Sequence, residues 1–102
     1  MIHLISGGAG LIGSFIIDEL LKNDNKVICI DNFSTGNKNN ITKWLKNDNF
    51  KLIDQDITIP VDLKANQIWH FACPASFKKY KIDPIKTSKI NFLGTYNMLE
   101  LA

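Results

Sequence analysis

Four glycines lie within positions 7–13 (GGAGLIG) and could hold a phosphate. They satisfy G-x-x-G-x-x-G through Gly7, Gly10 and Gly13, and G-x-G-x-x-G through Gly8, Gly10 and Gly13. In such a loop the first glycine permits a tight turn, and Gly10 lets a pyrophosphate approach the backbone. Gly13 lets the following helix pack close to the preceding strand, and the N-terminal N–H groups of that helix face the phosphates. The spacing therefore predicts a dinucleotide-binding loop.

An acidic residue follows the second apolar run and could bind a ribose. Asp31 lies 21 residues (31 − 10) beyond Gly10, close to the roughly 20 that separate the two in dinucleotide-binding units. Its carboxylate can accept from both adenosine ribose hydroxyls and would repel a 2′-phosphate, and no arginine stands beside it. Alternatively Asp31 caps a loop and the glycines merely turn the chain. A strand before the loop, a helix after it and an acid closing the next strand favour NAD.

The apolar pattern alternates strands with helices. It predicts strands at 2–6, 26–31, 50–53 and 67–72, helices at 11–22, 41–46 and 87–102, and irregular chain at 32–40 and 54–63. Alternation of this kind gives a parallel sheet with right-handed crossovers. The fold class is therefore α/β, the N-terminal portion of a doubly wound Rossmann fold with about four parallel strands and flanking helices.

Each predicted helix has an apolar face that should meet the sheet. For the first helix this face comprises Leu11, Ile12, Phe15, Ile16 and Leu20. The short second helix is expected to turn Trp44 and Leu45 inward. For the last helix, which Asp83-Pro84 introduces, the predicted face comprises Ile90, Leu93, Met98, Leu99 and Leu101.

Two further places lie where strands end, and ligands of open α/β sheets bind at that edge. Asp56 and Ile57 follow the third strand and could read adenine, or Asp56 could simply cap a turn. Phe71 and Ala72 end the fourth strand and could lie along the cofactor, or Phe71 could belong to the core.

Other reactive side chains are expected to be structural. His70 lies in an apolar strand and is interpreted as a hydrogen-bonded core histidine rather than a catalytic one. Cys73 has no evident activating base, and Ser76 has no partnered histidine. No cysteine or histidine spacing suggests a metal site.

Composition excludes several classes of partner. The chain has 102 residues, 45% hydrophobic and 22% charged, which suits one soluble domain. The net charge of +2 is too small to indicate nucleic acid or a membrane surface. The start of the chain has no signal-peptide pattern, so a cytoplasmic protein is expected. Lysines at 78, 79, 81, 86 and 89 form either a solvated face or a basic rim for a phosphorylated ligand.

Four segments together resemble a known family. GGAGLIGS, VICIDNFSTG, HFACPAS and DPIKTSKINFLGTYNMLELA are similar to the extended short-chain dehydrogenase/reductases, and within them to the UDP-glucuronic acid decarboxylases. The resemblance covers the whole chain. The glycine motif is widely shared, whereas the second half of the third segment (ACPAS) and the fourth segment are much more specific.

This resemblance implies a tightly held NAD, a UDP-sugar substrate and a set of contact residues. It places the pyrophosphate on Gly7, Gly10, Leu11, Ile12 and Gly13, and the adenosine ribose on Asp31, Asn32, Phe33, Ser34, Thr35 and Gly36. Adenine would lie at Asp56 and Ile57, and the rest of the cofactor along Phe71 and Ala72. The sugar nucleotide would meet Pro74, Ala75, Ser76, Lys89 and Asn97.

The resemblance also implies what lies beyond these residues. Residues 1–102 would form a partial NAD-binding domain, because the family's catalytic Tyr-x-x-x-Lys and its substrate domain come later. Tyr80 is followed four residues on by Pro84, and Tyr96 by Glu100, so neither makes that motif. The chain alone is then expected to be inactive. Asn37 replaces a usual arginine, and Glu100 a usual glycine.

Two alternatives remain. The chain could be a non-catalytic NAD-binding module, or part of another nucleotide-sugar epimerase or dehydratase, although ACPAS argues against the latter. The sheet edge that would receive a next strand is unpaired in this interpretation, so we expect either a marginally stable fold or a homodimer or complementing C-terminal chain that covers the edge.

Overall fold

Four parallel strands form one sheet in the order β3-β2-β1-β4. The computed structural model describes residues 1–33, 37–72 and 84–102. Its strands are β1 (Ile2–Ser6), β2 (Lys26–Ile30), β3 (Phe50–Ile53) and β4 (Gln67–His70). The parallel sheet of about four strands is confirmed. β2 and β4 end slightly before the predicted boundaries, so Asp31 and residues 71–72 lie just beyond the strands.

The sheet is covered on both faces, which is why its strands are continuous apolar runs rather than alternating ones. On one face Ile5, Val27 and Cys29 pack against the first helix. On the other face Leu4 and Ile30 pack against Ile57 and the last helix. Helices on both faces of a parallel sheet make the doubly wound arrangement that the apolar pattern predicts.

The first helix, α1 (Leu11–Lys22), buries a different face from the predicted one. Gly13 and Ile17 are buried and Leu20 is half-buried, whereas Leu11, Ile12 and Phe15 are 73%, 64% and 66% exposed. The cause is the close approach at Gly13. At about 100° per residue, a helix that turns position 13 toward the sheet also turns 17 and 20 inward and positions 11 and 15 outward.

The segment between α1 and β3 forms two short 3₁₀ helices instead of the predicted α-helix over 41–46. They span Lys38–Asn40 and Thr42–Trp44. Trp44 is buried and contacts Phe50 with ring centroids 5.9 Å apart. Leu45 is 44% exposed, so its predicted inward orientation is wrong. A 3₁₀ helix turns about 120° per residue, so the residue after Trp44 points away from the core.

The last helix, α2 (Pro84–Leu101), begins three residues before the predicted start. Proline suits the first helical position, because that N–H has no helical partner in any case. The face toward the sheet carries buried Thr87, Gly94, Asn97 and Met98. Leu99 is 70% exposed, contrary to the prediction, because it lies one step around the helix from Met98. No helix among the described ranges is long and apolar enough to cross a membrane.

The packing of α1 yields a matched pair of substitutions. Ile17→Ala removes a completely buried side chain and should lower the free energy of unfolding by about 2–5 kcal/mol. Phe15→Ala removes a larger but exposed side chain of the same helix and should change it by less than about 0.5 kcal/mol. Urea unfolding followed by tryptophan fluorescence measures both. A larger loss in Phe15→Ala would mean that α1 packs on the face the sequence pattern suggested.

Candidate dinucleotide-binding site

The residues that could bind a dinucleotide lie at one edge of the sheet. All four strands are parallel, so their carboxyl ends share that edge. The chain continues from β1 to β2 and β3 on one side and then crosses to β4 on the other side of β1. Ligands of doubly wound sheets bind at such a reversal of strand order. The crevice between the ends of β1 and β4 is therefore the candidate site.

The first turn beyond β1 leaves no room for a side chain at Gly7 or Gly13. Gly7 has φ +74°, and a β-carbon built there would lie 2.8 Å from the Ala72 nitrogen. The Gly7 N–H donates to the Ile30 carbonyl (2.8 Å), and the Gly7 carbonyl accepts from the Gly10 N–H (3.1 Å). A β-carbon at Gly13 would lie 2.5 Å from that same carbonyl oxygen. The turn is thus fixed by contacts between backbones.

The start of α1 is open to a ligand. Gly10 precedes the helix in an extended conformation, and no side chain caps this helix end. A β-carbon at Gly10 would meet only the Gly7 carbonyl, at 3.3 Å, so the space in front of Gly10 is otherwise empty. Leu11 and Ile12 are exposed beside this space. Uncapped N–H groups and the positive end of the helix dipole suit a pyrophosphate.

Asp31 connects the end of β2 to the glycine loop. Its Oδ2 accepts from the Ala9 N–H (2.9 Å), and its Oδ1 accepts from the Phe33 N–H (2.7 Å). The carboxylate is buried, and these bonds fix its orientation. A carboxylate has about four lone-pair sites, so ribose hydroxyls can still donate to it. The second bond also holds Phe33 in a left-handed conformation with φ +61°.

Two asparagines that sequence reasoning did not assign support the glycine loop. The Ala9 carbonyl accepts from the Asn37 N–H (3.0 Å) and from Asn40 Nδ2 (2.8 Å). Ala9 is therefore held through its N–H by Asp31 and through its carbonyl by this later segment. The asparagine-rich segment at 37–40 (NKNN) is the signal that the sequence offers here, and it predicts no more than a loop.

The end of β3 forms a turn backed by α2. Asp56 Oδ1 accepts from both the N–H and the hydroxyl of Thr58, each at 2.9 Å. Ile57 is buried against Gly94, and its carbonyl accepts from Asn97 Nδ2 (3.0 Å). Asn97, predicted to contact the sugar nucleotide, is thus buried and supports this turn. Lys89, the other predicted contact on α2, is exposed.

The end of β4 meets the glycine turn directly. The N–H groups of Phe71 and Ala72 donate to the Ser6 hydroxyl at 3.1 and 3.2 Å. His70 Nδ1 lies 2.6 Å from the same oxygen, and its Nε2 lies 3.1 Å from the Thr95 hydroxyl. Burial lowers the pKa of His70 from its ordinary value of 6.5, so it is neutral at pH 7. This environment matches the predicted hydrogen-bonded histidine.

Several predicted contacts lie outside the described residues. These are Ser34, Thr35 and Gly36 after β2, and Pro74, Ala75 and Ser76 after β4, together with Cys73 and the lysines at 78–81. Asn32 is exposed beside Asp31.

The described residues offer little other chemistry. Burial, and then the nearby charge of Asp31, raise the pKa of the Cys29 thiol to about 12, so it remains protonated and unreactive. Within the described ranges, no three potential metal ligands come together. Among the described residues, the crevice at the carboxyl edge of the sheet is thus the site whose groups suit a particular ligand, a dinucleotide.

Comparisons with known proteins agree with this geometry. The family model for GDP-mannose 4,6 dehydratase matches residues 4–102. The chain belongs to this family.

The relatives of this family member are long enzymes. UDP-glucuronic acid decarboxylase 5 of Arabidopsis thaliana is 52% identical over 100 residues, which are 97% of this chain but 29% of that protein. Two solved UDP-glucose 4-epimerases, from Thermotoga maritima and, in complex with NAD, from Thermus thermophilus, are each 30% identical. Their TM-scores are 0.84 and 0.78, and the match covers 99% of this chain and 33% of theirs. The resemblance to UDP-glucuronic acid decarboxylases is confirmed.

The glycine turn predicts different results for two similar substitutions. Gly13→Ala should lower the free energy of unfolding by more than about 1 kcal/mol, because its methyl group would meet backbone atoms that cannot move aside. Gly10→Ala has an ordinary φ and meets one backbone atom, the Gly7 carbonyl at 3.3 Å, so it should cost less than Gly13→Ala, about 1 kcal/mol at most. Chemical denaturation measures both. Equal losses would contradict the packing described around the Gly7 carbonyl.

Proposed function

We propose that this chain is the NAD-binding portion of an enzyme similar to UDP-glucuronate decarboxylases. The proposal rests on the position of Asp31. Its carboxylate is buried and accepts from the Ala9 N–H, so it is held next to the glycine loop that would bind the same dinucleotide. The 52% identity to a UDP-glucuronic acid decarboxylase supports the choice of enzyme.

Each part of the crevice would hold one part of the dinucleotide. The N–H groups at the start of α1 would bind the pyrophosphate, and Asp31 would accept from the ribose hydroxyls. Ile57, whose carbonyl is fixed by Asn97, would present the backbone of its turn to adenine. When bound, NAD would supply a hydride acceptor for C4 of the sugar and return the hydride after decarboxylation.

NAD is favoured over NADP by the surroundings of Asp31. A 2′-phosphate would stand against a buried carboxylate, and burial strengthens the repulsion between like charges. The ammonium group of Lys38 lies over the Phe33 ring, 5.8 Å from its centroid. The negative face of the ring attracts this charge. Asn37 donates its N–H to the Ala9 carbonyl.

We infer that the sugar nucleotide is UDP-glucuronate and that its contacts include Pro74, Ala75, Ser76 and Lys89. The oxidation needs a tyrosine–lysine pair that these 102 residues do not contain. The chain by itself should therefore bind NAD without decarboxylating the sugar. We propose that a further strand completes the sheet beyond β4, which is an edge strand among the described residues. That strand would come from sequence beyond these residues or from a partner, either a second copy or a chain with the catalytic half.

A UDP-sugar epimerase is the second candidate, because the solved structures it resembles include UDP-glucose 4-epimerases with TM-scores up to 0.84. Their 30% identity is lower than the 52% to the decarboxylase. Both candidates share the NAD site and differ in the sugar chemistry.

Substitution of Asp31 tests the NAD site. Asp31→Asn removes the charge and replaces one accepting oxygen by a donor, so NAD should bind about 10- to 100-fold more weakly, as expected for hydrogen bonds to a charged group. The affinity for NADP should not fall with it, because the repulsion is relieved. Isothermal titration calorimetry measures both cofactors. Asp48→Asn, an exposed turn position, is the matched control and should bind like the wild type. Equal affinities in all three proteins would refute the assignment.

A further inference from the structure

Three polar side chains, Ser6, His70 and Thr95, form a hydrogen-bonded series next to the crevice. Ser6, the completely buried last residue of β1, has its hydroxyl oxygen 2.6 Å from Nδ1 of His70 at the end of β4. Nε2 of the same ring lies 3.1 Å from the Thr95 hydroxyl on α2. The series therefore joins two strands and a helix through one imidazole.

The hydrogen-bond partners determine which nitrogen of His70 carries the proton. A serine hydroxyl has one hydrogen and two lone pairs. The Ala72 N–H donates to Ser6 Oγ (3.2 Å), and the Phe71 N–H is shared between Ser6 Oγ (3.1 Å) and the Ser6 carbonyl (3.0 Å), so each lone pair of the hydroxyl faces an N–H donor. The hydroxyl hydrogen is left for Nδ1, which must be unprotonated. The ring proton is then on Nε2 and is donated to Thr95.

This network lies against the glycine turn. Ser6 immediately precedes Gly7, and the three nearest atoms to a β-carbon built on Gly7 belong to Phe71 and Ala72, at 2.8–2.9 Å. The backbone that Ser6 holds in place is thus one wall of the crevice at the reversal of strand order. A small displacement of this wall would change the space available to the dinucleotide.

We propose that His70 is a positioning residue for the dinucleotide: as the Nε2–H tautomer it accepts the Ser6 hydrogen and thereby orients that hydroxyl to hold the Phe71–Ala72 backbone against the glycine turn. This inference rests on the proposed NAD binding. The imidazole does not touch the cofactor in this scheme. It acts through Ser6, since without an acceptor at Nδ1 the hydroxyl would turn its hydrogen toward one of the two N–H donors.

Two amide substitutions separate this role from simple packing. In His70→Asn the amide oxygen lies near the position of Nδ1 and can still accept from Ser6. In His70→Gln the amide nitrogen lies near Nε2, so the bond to Thr95 is kept and the acceptor for Ser6 is lost. We expect NAD to bind about tenfold more weakly to His70→Gln than to His70→Asn, the effect of leaving one buried hydroxyl unsatisfied.

Calorimetry measures the affinities, and urea unfolding identifies any variant that fails to fold. If His70→Gln does not fold, Ser6→Ala is the second test. It removes the Ser6 hydroxyl itself with a smaller change in shape, and it should also weaken NAD binding about tenfold. Equal affinity of the two amide variants, or wild-type affinity in Ser6→Ala, overturns the role of His70. A wild-type chain that binds no NAD instead overturns the proposed function, and the positioning role with it.

The ring nitrogens give an independent readout. In a ¹⁵N-labelled chain at pH 7, Nδ1 of His70 should resonate as an unprotonated nitrogen and Nε2 as a protonated one. A proton on Nδ1 would contradict the proposed direction of the Ser6 bond, whatever the affinity for NAD.

Discussion

The space around the Gly7 carbonyl constrains this molecule more than any other feature. One oxygen accepts from the Gly10 N–H and is approached by the backbone of Gly13, while on the other side Gly7 meets Ala72. These contacts fix where β1 ends, where α1 begins and how close the end of β4 comes. They also explain which face of α1 is buried, because a helix that must bring position 13 against the turn has no freedom to rotate about its axis.

Hydrogen bonds from three directions hold the glycine turn and its surroundings in place. Asp31 holds the N–H of Ala9, Asn40 and the Asn37 backbone hold its carbonyl, and Ser6 holds the neighbouring wall. Each of these groups is oriented by bonds within the protein itself. A site arranged in advance loses less conformational entropy when a ligand binds.

Much of the architecture could be predicted from the sequence because it depends on local signals. The apolar runs, the glycine spacing and Asp31 predict the four parallel strands and the candidate crevice. Helix faces were less predictable: Leu11, Phe15 and Leu99 match a helical period, but the close approach at Gly13 and the burial of Met98 decide which residues face the sheet. Periodicity gives the width of an apolar stripe, and packing decides its direction.

Contacts between distant residues were beyond sequence reasoning. Asn40 binds Ala9 from 31 residues away, and Asn97 binds Ile57 from 40 residues away. No sequence pattern identifies the partner of an asparagine in a loop or on a helix, because its side-chain amide can both donate and accept hydrogen bonds. Asn97 was predicted as a sugar contact from the resemblance alone. The fold shows instead that its side chain is buried and donates to the Ile57 carbonyl.

The most direct test of the central claim is a two-dimensional amide NMR spectrum of the labelled chain, recorded with and without NAD. NAD bound at the carboxyl edge should give dispersed peaks and shifts concentrated at residues 7–13, Asp31 and Ile57, with much smaller shifts on addition of NADP. Peaks that NAD leaves unmoved, or shifts confined to the opposite edge of the sheet, would contradict it.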